Sequence, residues 1–517
     1  MHFTLPVRLP VSRNARVVCV AILLIESAAV IARFHRGPRP WQASEVPIAF
    51  WAWRNQAPSE TDVRKAIENN HARAIFLRAG QIDYQDGTLR RIRSVTGSLP
   101  RGIDLHLVYS GTRALLYQLD SINEQQLAAA LAAVFQEDCN RAEQERARVA
   151  GLQIDLDVPT RLLGRYERTL KALRAQLKPG IRLSITGLPT WMQSSDLQST
   201  LTQVDFWVPQ FYGGEIPNRA DQIISISSPK RIEGFLENAR ALDKPFYAGL
   251  SAYGYALLYS TSGSLIALRG NMDPAAIAAD SNLELIDQRP FEHSGERGSE
   301  WRCTYRARAD GVTDGLVIHA GDQLVVDSPS AESLRQSARI VRELAGEKLL
   351  GICVFRLPGE DDPATLNTDQ VTIALADRDS IADIRVRFKA NQSQNHVWLL
   401  EIENAGTASA VGGLQVDVEV DAGTIESINA ERGESAETMC QIFRDDRAPG
   451  LQPCGVRRAN MIRIKSAGLR AGKVLKTTVV FTPRPPEVLS FSVNTGTDTG
   501  DRYIRRTEVV TQEWGKQ

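Results

Sequence analysis

The sequence predicts an α/β chain: a (β/α)8 barrel with an antiparallel patch inserted after its seventh strand, followed by an all-β sandwich. Three observations predict it. Strand-like apolar runs alternate with helical ones through eight strands between residues 45 and 365. The alternation breaks only between about 255 and 330, where short strand-like runs stand without helices. Past Asp362 the composition changes, and from Val371 to about Pro485 the chain shows short alternating runs with turn-rich gaps and no good amphipathic helix. A length of 517 residues exceeds one ordinary domain, and 43% apolar with 24% charged residues suits a globular protein with a sizeable core.

Residues 1–40 read as a signal peptide or N-terminal membrane anchor. An apolar run over 17–32 follows Arg8, Arg13 and Arg16. It is shorter than the roughly 20 residues of a comfortable span and contains Glu26, while Arg33, Arg36 and Arg39 behind it leave the orientation open. Either form exports the rest of the chain, facing the periplasm or outside; the competing reading is a buried N-terminal helix of a cytosolic protein. The barrel, 45–365, then opens with a strand over 47–53 and a helix over 61–69 capped by Ser59 or Thr61. Strands follow at 72–80 and 104–111, with a long Ala- and Leu-rich helix over 123–148. The fourth strand, 151–158, leads to a helix at about 161–177. Strands at 182–188, 204–212 and 245–253 alternate with helical stretches near 194–202 and 231–242. The inserted patch takes strands at 264–269, 283–288, 300–307 and 316–326; a helix over 331–345 and a strand over 350–357 complete the eight.

The sandwich is expected over 370–485, with strands at 381–388, 396–403, 414–420, 461–464 and 476–481; residues 486–517 form an unassigned tail. Net charge is zero and no basic run with interleaved aromatics occurs, so nucleic acid is not an expected partner. The six cysteines show no metal-ligand spacing, and neither a metal nor another cofactor is expected. Cys440 and Cys454 flank a turn-rich loop, a spacing compatible with a disulfide in an exported protein.

The chemistry centres on the fourth strand. Leu152, Ile154, Leu156 and Val158 alternate with Gln153, Asp155 and Asp157, one apolar face and one carboxylate face. Two carboxylates on alternate positions have Cα atoms roughly 6.6 Å apart and perturb each other's proton affinity. Active sites of such barrels lie at the C-terminal ends of the strands. Those ends collect Trp51, Trp53, Arg78, Tyr109, Asp155, Asp157, Thr186, Trp191, Gln210, Tyr212, Tyr253, Phe355 and Arg356. Aromatic faces suit the apolar faces of pyranose rings, and Asp, Gln, Tyr and Arg suit their hydroxyls. Asp155 and Asp157 are the candidate acid and base or nucleophile of a glycosidase. A loop carboxyl such as Glu215, Glu360, Asp361 or Asp362 is an alternative partner for one of them. Arg356, on an apolar strand, is expected to pair with Asp155 or Asp157; a purely structural ion pair of Asp155 with Arg78 or Arg356 is the competing reading.

The eight-unit order resembles glycoside hydrolase family 18, the chitinase-like barrels. Gln153-Ile-Asp-Leu-Asp157 is similar to the middle of that family's DxxDxDxE signature, and the segment 204–212 is similar to its sixth-strand segment ending in a substrate-contacting Tyr, here Tyr212. The last strand, 351–357, looks like the family's, with Phe355 as the aromatic floor under the sugar; the inserted patch occurs there too. The span of about 45–362 resembles the bacterial DUF3142 family more closely, a family of proposed barrels. Within the signature the first acid falls on Leu152 and the catalytic Glu falls on Pro159. A proline donates no proton, so the chitinase mechanism does not carry over intact. The resemblance implies an exported glycoside-hydrolase-like protein acting on or binding a poly- or oligosaccharide. The alternatives are a catalytically inactive glycan-binding barrel and an envelope scaffold whose sandwich is the interacting part.

Overall fold

The computed structural model describes residues 42, 45–222, 224–293, 296–359, 362–391, 394, 396–430, 434–442, 450–499 and 502–511. The expectation of a signal or anchor over residues 1–40 therefore falls outside the described residues. No described helix is long and apolar enough to cross a membrane.

Eight strands close a ring: β1 (Ile48–Ala52), β2 (Ala72–Gln85), β3 (Asp104–Gly111), β4 (Arg148–Asp155), β5 (Arg182–Gly187), β6 (Phe206–Pro209), β7 (Phe246–Ser251) and β8 (Leu349–Phe355). Each pairs in parallel with its neighbours in chain order, and β1 pairs with both β2 and β8. Alternation along each strand sorts side chains between two cores. Leu152, Ile154, Leu156 and Val158 join the cluster that the ring shares with its helices. Ala49, Trp51, Ala74, Phe76, Val108, Phe206, Val208, Tyr247 and Cys353 fill the inside. Below the mouth, His106 stacks on Phe76 at 4.6 Å between ring centroids and faces Arg182 at 3.2 Å; burial pushes its imidazole down to about 3, so it sits there neutral.

β2 runs past the ring to Gln85, turns at Asp86-Gly87, both at positive φ, and returns antiparallel as Thr88–Ser94. The Asp-Gly pair is the sequence signal for this unpredicted hairpin. The insertion after β7 is a five-stranded antiparallel sheet plus a two-stranded one. The expected strand over 316–326 divides into Leu316–Ile318 and Gln323–Ser328, parted by the turn at Gly321. Tyr255–Tyr259 joins this sheet rather than extending β7.

Two boundaries shift. Helix Thr368–Leu375, opened by an Asn367/Gln370 capping box, buries Val371, Ala374 and Leu375 in the barrel core, so the barrel continues past 370. Its single short apolar face hid it from periodicity. The supposed tail supplies strands Val488–Thr497 and Arg502–Thr511. In the first, buried Leu489, Phe491 and Val493 alternate with polar residues. They complete a six-stranded sheet that packs face to face on a four-stranded one. The shared core joins Val386, Phe388, Leu400 and Phe481 of the smaller sheet to Val416, Val418, Ile464 and Phe491 of the larger. A disulfide joins Cys440 to Cys454 at the edge of the larger sheet.

Candidate active site

β4 ends at Asp155, and Pro159 opens the next turn of chain. The inward parity of β4 stacks Asp155 above Gln153, whose Oε1 accepts from the Trp51 indole at 2.7 Å in the barrel interior. The Thr186 hydroxyl, at the end of β5, donates to Asp155 Oδ1 at 2.6 Å. Burial first and the neighbouring Asp157 second push the Asp155 carboxyl up to about 7, against the Thr186 hydrogen bond and the more distant Arg78 charge, which pull it down. Asp157 is open to solvent, yet the protein crowding it raises its proton affinity too. Among the described residues it has no hydrogen-bond partner.

Around the pair stands an aromatic group centred on Phe355, the last residue of β8. Its ring meets Trp51 at 5.9 Å, Trp53 at 5.7 Å and Tyr253 at 5.0 Å edge-on, and lies nearly parallel to Tyr212 at 5.7 Å. Burial raises both tyrosine hydroxyls, Tyr253 to about 12, so both stay protonated donors. The Arg78 guanidinium lies 5.0 Å from the centre of the Trp53 ring. Gln210 is half-buried at the end of β6, with its backbone N–H on Gly187.

Three expectations are corrected. Tyr109 faces outward from β3, with its hydroxyl 2.6 Å from Asp138 on helix Glu124–Gln144. Trp191 is buried between strand and helix, donating to the Val158 carbonyl at 2.9 Å and packing on Tyr166. Neither reaches the mouth. Arg356 pairs with neither Asp155 nor Asp157, the latter lying just past the end of β4, but with Asp362, through two 2.7 Å bonds, and with the Gly270 carbonyl. A carboxylate six residues away on the same loop supplies the charge its burial demands. Asp362 is thereby committed and buried. Glu215 is exposed and has neither a hydrogen bond nor an ion pair with the aspartates; Glu360 and Asp361 lie outside the described residues. Thr186, one of the strand-end residues, proves to be the hydrogen-bond partner of Asp155, and Gln153, on the carboxylate face of β4, is the added member that carries the inward parity down to Trp51. A recess of about 540 Å³, lined by Ala132, Phe135, Cys139, Val149 and Ile181 among others, opens at the opposite end of the barrel and includes no mouth residue.

A closed parallel barrel with a carboxylate pair and an aromatic surround at its C-terminal mouth defines the class of protein. Within it, residues 113–286 match the family described as "Domain of unknown function (DUF3142)". No curated protein matches the chain. Among solved structures, the chain is similar to a chitinase from Chromobacterium violaceum at 16% identity and a TM-score of 0.42, covering 64% of this chain and 99% of that one. It is likewise similar to the spore cortex-lytic enzyme SleL of Bacillus cereus at 16% identity and 0.42, covering 64% and 74%. A class V chitininase from Pseudomonas fluorescens stands at 15% and 0.41, covering 64% and 99%. The barrel itself stands on the strand order and register of this chain.

Proposed function

We propose that the barrel mouth is a glycan-handling centre of an exported protein, hydrolysing a polysaccharide with Asp155 as general acid and Asp157 as base or nucleophile. The observation that carries this is the pair of carboxylates at the mouth: Asp155 at the end of β4, bonded to Thr186 and raised in proton affinity by burial, and Asp157 two residues on, open to solvent. A glycosidase needs one carboxyl protonated near neutral pH to donate to the leaving oxygen and a second one ionised beside it. Burial raises the proton affinity of both carboxyls, and the Thr186 bond on the more enclosed Asp155 against the exposure of Asp157 supports this division of roles without the glutamate whose place Pro159 holds. Asp157, unpartnered and open to solvent, is free to meet a water or an anomeric carbon. The half-buried Phe355, Trp53 and Tyr253 line the place of the sugar, with Tyr212 backing Phe355 from the core, and Gln210 offers a half-buried amide for its hydroxyls. The Cys440–Cys454 disulfide supports an oxidising compartment, as does the apolar run over 17–32.

Pro159 favours one second reading, a barrel that binds glycan without cleaving it. Reducing-end release from a panel of polysaccharides separates the two. Hydrolysis predicts turnover by the wild type and a loss of about 10²–10⁴-fold in both Asp155→Asn and Asp157→Asn. Binding by wild type and variants with turnover in none selects the second reading, and absence of both overturns the proposal.

A further inference from the structure

Arg78 is the unusual residue of the mouth. It stands on β2 two positions above Phe76, so the parity that fills the barrel interior turns it inward at the rim. One face of its guanidinium is taken by Trp53, whose ring in turn touches Phe355. Its Nε is buried without a hydrogen-bond partner, and no carboxylate among the described residues forms an ion pair with it. A second positive charge, Arg93 on the hairpin strand, acts on it unfavourably, as does its own burial. Asp155 acts on it favourably from a distance, but that carboxyl is itself disposed to hold a proton. Arg78 thus sits against an aromatic face with a buried donor unused and the charge of Arg93 acting on it. Two other enclosed arginines are matched by carboxylates, Arg302 by Asp327 and Arg356 by Asp362, each through two bonds, whereas Arg342, buried under the barrel helices, gives one N–H to the Leu375 carbonyl and faces no mouth. An unmatched, desolvated guanidinium costs stability unless an anion completes it.

We propose that Arg78, with Arg93 behind it, is an anion subsite, and that the glycan taken by this mouth carries carboxylates on its sugar rings. A sugar resting against the rim of Trp53 and Phe355 would bring a carboxylate on its edge to the guanidinium fork, which donates to two oxygens at once. This rests on the glycan reading of the mouth and adds the charge of the sugar. Arg78 would thus select the substrate, apart from the proton transfer assigned to the aspartates.

Calorimetric titration with a galacturonic acid oligomer and a neutral oligomer of equal length tests it. The wild type is expected to bind the acidic oligomer at least tenfold more tightly at low salt, with the preference shrinking as salt rises. Arg78→Gln is expected to abolish the preference, the acidic oligomer falling to the affinity of the neutral one; Arg78→Lys should keep part of it. Arg93→Gln, at an exposed position, should weaken the acidic oligomer severalfold and keeps the test open if Arg78→Gln does not fold. A muramic-acid disaccharide compared with its counterpart lacking the lactyl group distinguishes a lactyl carboxylate from a uronate. Equal or tighter binding of neutral oligomers overturns the anion subsite and leaves the glycan reading standing. So does an Arg78→Gln variant that only moves the pH profile, which would make Arg78 a modulator of Asp155. No binding of either oligomer overturns both.

Discussion

Asp155 ties the folded state to the protonation of one oxygen atom. Its carboxyl binds a proton more tightly folded than unfolded, so folding is favoured while it is protonated. That advantage is full below the ordinary carboxylate range near 4 and is lost as pH rises towards about 7. Asp155→Asn should therefore gain stability on the wild type at pH 8, by on the order of 1–3 kcal/mol, and little at pH 4. Denaturant melts at the two pH values check it. The same sign governs activity: if Asp155 is the acid, turnover declines above about 7. At this scale the sequence was most legible where polar and apolar residues alternate. Gln153, Asp155 and Asp157 reveal their face because Leu152, Ile154 and Leu156 lie between them. β3 reads Asp-Leu-His-Leu-Val-Tyr-Ser-Gly and is buried on both faces, so nothing in it tells that Val108 looks inward and Tyr109 outward. Trp191 was misplaced because its partner, a backbone carbonyl on another element, leaves no trace in sequence.

The loop after β8 shows what an element contributes. Asp362 holds Arg356, next to the Phe355 ring on which the aromatic group is centred, and Arg54 approaches the same carboxylate at 3.6 Å. Asp362→Ala would leave the Arg356 guanidinium largely buried and uncompensated, a loss of about 3 kcal/mol by chemical denaturation. The expected companion effect is weaker binding of any ligand that stacks on Phe355. That an arginine on an apolar strand needs an acid was evident from its surroundings; which acid was not, because the competing carboxylates differ in three-dimensional reach rather than in residue type. The hairpin after β2 was legible in its Asp86-Gly87 turn but lay inside a stretch whose arginines, at 90, 91 and 93, disguised a strand that projects beyond the core.

The two halves of the molecule meet across a polar seam. Arg470 of the sandwich donates to the Pro363 and Thr365 carbonyls, and Asn367 to the Ala471 carbonyl in return. Asp498 is buried beside Ser409, whose N–H it accepts at 3.0 Å, while its own carbonyl takes the Ser330 hydroxyl of the barrel. Burial pushes its carboxyl up to about 7, so the seam is most secure when Asp498 is protonated and loosens as pH rises through that value. Hydrogen exchange at residues flanking the seam should be faster at pH 8.5 than at pH 6 after correction for intrinsic rates, and Asp498→Asn should reduce the difference. Truncation probes the same boundary. A chain ending at 370 loses Val371, Ala374 and Leu375 from the barrel core and is expected not to fold, whereas one ending at 380 should fold with a lower melting temperature, read by circular dichroism. The eight-fold alternation announced the ring because every unit repeats one period change; the seam was illegible because most of its bonds run to backbone carbonyls.

Arg470 has its feet on the segment that leads away from Phe355. A load applied to the sandwich, by adsorption to a solid matrix or by a tether, passes along this strut towards the floor on which a sugar would rest. The two halves should accordingly tumble as one body, and a dye on either should report a single rotational correlation time that persists in Arg470→Ala, where the Asn367, Ser330 and Gln370 bonds remain, and splits in two only when these are removed together.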